Sequence, residues 1–158
     1  MGSVAGLPSS SFSRRCARPF LASSSQELAE TAAVALGILA SGDNLPLLTA
    51  VLENDLPRVR AERIAQVGNF SVRTRAFAAY GLGLIGHRAS PTERLQIVAT
   101  LRRMLDGEGR TMGQRDVQVA CVTALGLTPL APGQADEGVA ALEESAKVPA
   151  VLATLEDQ

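Results

Sequence analysis

A chain of 158 residues is long enough for one domain with a buried core. Its hydrophobic fraction of 46% is ordinary, but only 3% is aromatic and Trp is absent, so the core must be built from small aliphatic side chains. A net charge of −1 excludes a global electrostatic pull toward nucleic acid or membrane, and a single histidine, His87, makes most zinc sites and histidine-based triads hard to build.

Residues 1–10 show no periodicity and are expected to be disordered. Residues 1–25 hold Arg14, Arg15, Arg18, many serines and no acid, a faint likeness to a transit peptide. "SRRCARPFLA" also carries the paired arginines of an export signal, but no long apolar stretch follows. "AAVALGILA" (32–40) is too short to span a bilayer. The myristoylation pattern fails because position 6 is Gly6. The expectation is a cytoplasmic chain with no membrane span. Cys16 and Cys121 stand far apart and in no metal-ligand spacing, which reads as two structural thiols.

The first clear helix is expected from Gln26 to Leu39, with Ser25 as N-cap. Leu28, Ala32 and Leu36 fall at i, i+4 and i+8, one face of an α-helix. "LPLLTAVLEN" (45–54) reads as a short apolar helix, and 55–69 as a linker. The next helix is expected over Val72–Ile85, capped by Ser71 or Asn69, with Val72, Ala76 and Tyr80 on its buried face. "SPTERLQIVATLRRML" (90–105) is the plainest helix. Ser90 is its N-cap, Pro91 suits the first turn, Glu93 completes a capping box, and Leu95, Val98, Leu101 and Leu105 form the expected buried stripe. A glycine-rich linker (106–115) leads to a helix beginning near Asp116. "DEGVAALEESAK" (136–147) is its expected partner, and 148–158 starts another helix or extends the last unit.

Three of these stretches align without gaps: "LAETAAVALG" (28–37), "VRTRAFAAYG" (72–81) and "VQVACVTALG" (117–126). The offsets are 44 and 45 residues, which implies one helix–turn–helix unit used three times. The copy "VRTRAFAAYGLGLIG" resembles the HEAT-repeat family, including its short bacterial relatives of the phycobilisome lyase type. Val72, Arg73, Ala76, Ala79, Tyr80 and Gly81 carry the likeness. Asp116, Val117, Cys121, Leu125 and Gly126 repeat it, as do Leu28, Ala32, Ala33, Leu36 and Gly37. The arginine is kept only at Arg73; Ala29 and Gln118 replace it in the other copies.

The resemblance implies an all-α fold, a right-handed α-solenoid of antiparallel helix pairs of the HEAT or armadillo kind. Its units would be 11–24 (partial), 25–69, 70–115 and 116–158, in one domain over 11–158. Neither end looks like a polar cap, so the chain is expected to be a piece of a longer array.

"GLGLIG" (81–86) matches the dinucleotide fingerprint G-x-G-x-x-G at Gly81, Gly83 and Gly86. That motif needs a strand before it and a helix opening within it. The preceding residues have helical spacing, so the glycines are read as allowing close helix packing, with Gly86 in the left-handed conformation that ends the helix. His87 is read as a solvated residue at the helix C-terminus. No catalytic, cofactor or metal site is expected.

Eleven arginines lie between Arg58 and Arg115 against four acids, and six acids and one lysine follow Gln134. The simplest account is solvated faces of amphipathic helices. In the family the second helices line the concave binding surface, which implies contacts from Gln96, Thr100 and Arg103. The linker adds Arg58, Arg60 and Arg63. The expected function is a non-catalytic protein-interaction scaffold. The alternatives are a nucleic-acid-binding arch using the arginine-rich middle and a lyase-associated protein. Near-absence of aromatic residues argues against single-strand binding.

Overall fold

The computed structural model describes residues 16–64, 68–106 and 114–130. Among them the chain is all-α, with six α-helices, two short 3-10 helices and no strand. The α-helices are α1 (Gln26–Ile38), α2 (Leu45–Glu53), α3 (Leu56–Ala61), α4 (Val72–Arg88), α5 (Pro91–Leu105) and α6 (Arg115–Leu127). No described helix is long and apolar enough to cross a membrane. The expected partner helix at 136–147 and the segment 148–158 lie outside the described residues, as does the 1–10 segment.

Local chemistry sets most boundaries. Ser25 precedes α1 in extended conformation, and Ser71 caps α4 by accepting the Thr74 N–H. Before α5 the Ser90 hydroxyl accepts the Glu93 N–H, while Glu93 Oε2 accepts the Ser90 N–H at 2.8 Å, a complete capping box. Asn54 closes α2 in the left-handed conformation. Its Oδ1 also accepts the Phe70 N–H at 2.9 Å, which ties the following chain back to the helix end.

Several expectations are corrected. Gly86 does not end α4: it lies inside a helix that continues to Arg88. Ala89 and Ser90 are extended, with ψ near 160° in both. Pro91 disfavours helical backbone at Ser90, and Ser90 is already the cap of α5, so the Ser-Pro pair stops α4. The linker after α2 contains α3, whose N-cap Asp55 accepts the Arg58 N–H. Among the described residues of 11–24, residues 16–17 are α-helical and run into a 3-10 helix, Arg18–Ala22. Leu28 is 48% exposed, with no described chain over it. In α5 the buried stripe runs through Ile97, Val98, Thr100, Leu101 and Met104, whereas Leu95 and Leu105 are half-buried.

α4 is the centre of the assembly and packs on α1 along one side and α6 along the other. The α1–α4 contact is set by glycine. A Cβ on Gly37 would lie 2.5 Å from the Gly81 Cα, and one on Gly81 would lie 2.8 Å from the Ala33 carbonyl oxygen. Gly83 plays the same part toward α6, where a Cβ would come within 2.8 Å of the Ala124 Cα. The pair Gly37 and Gly81, 44 residues apart, therefore marks backbone-to-backbone contact between α1 and α4. Around these crossings Leu36, Leu47, Leu48, Leu52, Leu82, Ile85 and Leu101 are fully enclosed. α2 and α5 do not pack chiefly on the long helices that precede them, α1 and α4. α2 lies against α4, and α5 against α6 more extensively than against α4. The Arg18–Ala22 turn lies in the same way against α1.

Candidate binding surface

The arginines expected to form a contact surface come from α3 with the turn after it and from α5. Glu53, the last residue of α2, joins two of them. Its Oε2 accepts from Arg58 Nη1 on α3, and its Oε1 accepts from Arg103 Nη2 on α5 at 2.9 Å. Asp55 stands 3.9 Å from Arg58 Nε. The cluster of Arg58, Arg103, Glu53 and Asp55 is therefore formally neutral. Both arginines remain half-exposed, so they are held in place yet reachable.

The other expected contact residues divide. Gln96, Arg60 and Arg63 are exposed and join no ion pair among the described residues. Arg63 has a left-handed backbone, with φ 62°. Thr100 is only 6% exposed, and its hydroxyl accepts from Arg103 at 3.4 Å. It is placed to position Arg103 and has little surface of its own to offer.

The wider arginine excess is only partly paired. Arg18 Nη2 meets Glu62 Oε2 at 2.7 Å, and Arg73 Nη2 meets the buried Glu30 at 3.1 Å. Arg94 donates to the Gly86 carbonyl. Among the described residues Arg60, Arg63, Arg88, Arg102 and Arg115 have no carboxylate within ion-pair distance. Surface pairs of this kind contribute about 0–1 kcal/mol each, so their main effect is on the local field.

A groove between α4 and α6 escaped sequence reasoning. It encloses about 380 Å³ and is lined by Arg73, Ala76, Phe77, Tyr80, Asp116 and Val119. The Phe77 and Tyr80 rings meet edge-to-face, with centroids 5.8 Å apart and planes at 80°. Both are half-buried, and Val119 beside them is exposed. The available signal was the i, i+3 aromatic pair in a chain otherwise poor in aromatics. An apolar groove of about 410 Å³ at the other end is lined by Cys16, Ala17, Phe20, Leu28, Thr31, Ala32 and Ala35.

Arg75 was also missed, although it shares a face with Ala79 and Leu82. It is 3% exposed. Its Nε donates to the Leu52 carbonyl at 2.8 Å and its Nη1 to Gln114 Oε1 at 2.6 Å, while Nη2 is buried with no hydrogen-bond partner among the described residues. Burial lowers its pKa, an effect partly offset by Cys121. Burial in turn pushes the Cys121 thiol up to about 11, against the pull of Arg75. Cys121 is thus a protonated, enclosed thiol at neutral pH and a poor nucleophile.

Gly81, Gly83 and Gly86 all lie within α4, where backbone N–H groups serve the helix, so they form no phosphate-binding turn. His87 is exposed in the last turn of α4. Among the described residues no group of three or more His, Cys, Asp or Glu side chains could hold a metal ion. Comparison with protein-family models, curated proteins and solved structures gives no match.

Proposed function

We propose that the chain is a HEAT-like α-solenoid acting as a non-catalytic protein-interaction scaffold. One observation carries this reading: a half-exposed aromatic pair lies open in a groove between two helices, with Arg73 and Asp116 beside it. Aromatic residues and arginine are enriched where protein partners bind, and rigid aromatic anchors lose little entropy on binding. The periodic glycines and the successive packing of α1, α4 and α6 support the solenoid reading. The Arg58–Glu53–Arg103 cluster, with Gln96, Arg60 and Arg63, is the second surface proposed for partner contact.

The test uses the whole chain as bait and compares it with Tyr80→Arg. Specific capture of a protein by the wild type, lost in the variant while the melting temperature is unchanged, supports the groove. Equal capture by both refutes it. The unpaired Arg60, Arg63, Arg88, Arg102 and Arg115 keep one competing reading alive, a nucleic-acid-binding arch. Retention of duplex DNA or RNA that falls steeply with salt, and is abolished by reversing Arg58, Arg60, Arg63 and Arg103 to Glu, would establish that reading instead.

A further inference from the structure

Three charged residues recur across the long helices at intervals of 43 positions: Glu30 on α1, Arg73 on α4 and Asp116 on α6. Their signs alternate. The first two are paired, with Arg73 Nη2 donating to Glu30 Oε2 at 3.1 Å. The other Glu30 oxygen accepts from Gln26 at 2.7 Å, so the carboxylate that holds Arg73 is itself anchored. Asp116 is exposed and joins no ion pair among the described residues. The set has one arginine for two acids, and the uncompensated charge is the acid that lines the α4–α6 groove. Arg75 is enclosed and directs its donors to Leu52 and Gln114, and Arg115 does not line the groove.

Asp116 also stands beside the aromatic pair. α4 and α6 run in the same direction, since Gly83 lies against Ala124 and Gly86 against Thr128, while Arg75 Nη1 reaches Gln114. These partners are 39 to 42 positions apart, which puts Asp116 opposite residues 74–77 and Val119 opposite residues 77–80. The edge-to-face contact of Phe77 and Tyr80 occupies only one ring face. Ring faces are negative and attract cations, arginine more often than lysine. A guanidinium is planar, so it can lie on a ring while its fork donates two hydrogen bonds to a carboxylate. The point charge of a lysine ammonium offers neither the plane nor the fork. An acidic side chain would meet Asp116 and the ring faces, all of its own sign, with only the already paired Arg73 in its favour.

We infer that the α4–α6 groove takes an arginine side chain of a protein partner, its guanidinium stacked on the Phe77–Tyr80 pair and bound to Asp116. The inference rests on the reading of this groove as a partner site and adds the chemistry of the group that enters it.

Tyr80 is the chain's only tyrosine and Trp is absent, so tyrosine emission reports on the groove alone. The full chain is titrated at low salt with three blocked tripeptides, Leu-Arg-Leu, Leu-Lys-Leu and Leu-Glu-Leu. Binding is read by that emission and by the ring-proton shifts of Phe77 and Tyr80. The arginine peptide is expected to bind saturably and about threefold or more tighter than the lysine peptide, and the glutamate peptide to leave both signals unchanged. Asp116→Asn should weaken arginine binding by about 3–10-fold, and Asp116→Glu should restore most of it, with far-ultraviolet circular dichroism unchanged in both. Absence of arginine binding, lysine binding as tight as arginine, or tighter binding of glutamate overturns the inference. So does arginine binding indifferent to Asp116→Asn. In the capture experiment, loss with Tyr80→Arg but not with Asp116→Asn overturns the inference and leaves the groove as a partner site. Capture kept in Tyr80→Arg overturns both.

Discussion

Gly37→Ala tests whether the helix crossing is as close as the structure places it. Considered alone, the substitution favours folding by about 1 kcal/mol, because glycine is a poor helix residue. Position 37 lies in the last turn of α1, one residue before its end at Ile38, so only part of that gain applies. The new methyl, however, would sit 2.5 Å from the Gly81 Cα and 2.7 Å from the Gly81 carbonyl oxygen. Carbon atoms pack at about 3.5–4.0 Å, so α1 and α4 must separate by about 1 Å. A gap of that size forfeits a quarter to a half of each dispersion contact along the crossing. Overpacking of this kind typically costs about 1–3 kcal/mol net. For a domain of this length about 1 kcal/mol moves the melting temperature by about 2–4 °C, so a drop of about 2–12 °C is expected. Thermal unfolding followed by far-ultraviolet circular dichroism reads it directly. Gly81→Ala should behave alike, and the double variant should lose less than the sum, because both open the same contact. A rise in melting temperature for Gly37→Ala would refute the crossing.

Two other predictions concern titrating groups. The Cys121 thiol has its pKa raised from 9.0 to about 11, so the unfolded chain releases that proton first as pH rises. Its contribution to stability is constant below about pH 9 and declines between about 9 and 11, by about 1.4 kcal/mol per pH unit at most. Cys121→Ala should remove that alkaline component in denaturant titrations, and a thiol reagent at neutral pH should label Cys16 but not Cys121 until the chain unfolds. Ser90→Ala breaks the capping box and should cost about 1 kcal/mol in the same titrations. The hydrogen bonds from the Ser90 side chain and backbone hold the Glu93 carboxyl below its ordinary pKa, so its contribution is present above the ordinary carboxylate range and is lost as pH falls through the folded value. The variant should accordingly lose less stability than the wild type on acidification from about pH 5 to 3.

What was legible in the sequence was whatever nearby residues decide. Ser90, Pro91 and Glu93 define a helix start among themselves, and Ser71 does so with Thr74. The glycine echo exposed one crossing, Gly37 against Gly81; the α4–α6 crossing uses Gly83 and Ala124, outside the echo. Gly86 was misread because a glycine near a helix end ordinarily signals termination, whereas the Ser-Pro start of α5 governs the stop. The methyl that Gly86 lacks would fall 2.5 Å from Thr128 Oγ1, a contact 42 positions away that no local rule can supply. The contact surface was half legible for the same reason. Helical spacing placed Gln96 and Arg103 on one face, but nothing in it shows that Glu53 would gather Arg58 and Arg103, or that Thr100 would be enclosed. Leu28 looked buried because its spacing is right. Its exposure depends on what lies against α1, not on α1 itself.

Arg75 has a consequence for how the fold comes apart. Helices that touch only their neighbours can open one after another from an end at small cost per step. Arg75 sits on the middle helix but donates at once to the end of α2 and to Gln114 at the start of α6. Those two points are 62 positions apart and share no direct bond, yet pulling either away strands the same enclosed cation. A buried charge left with fewer partners is costly. Loss of the α6 end and loss of the α2 end are thus not independent events. The guanidinium works as a crossbar that couples α2 and the start of α6 through α4.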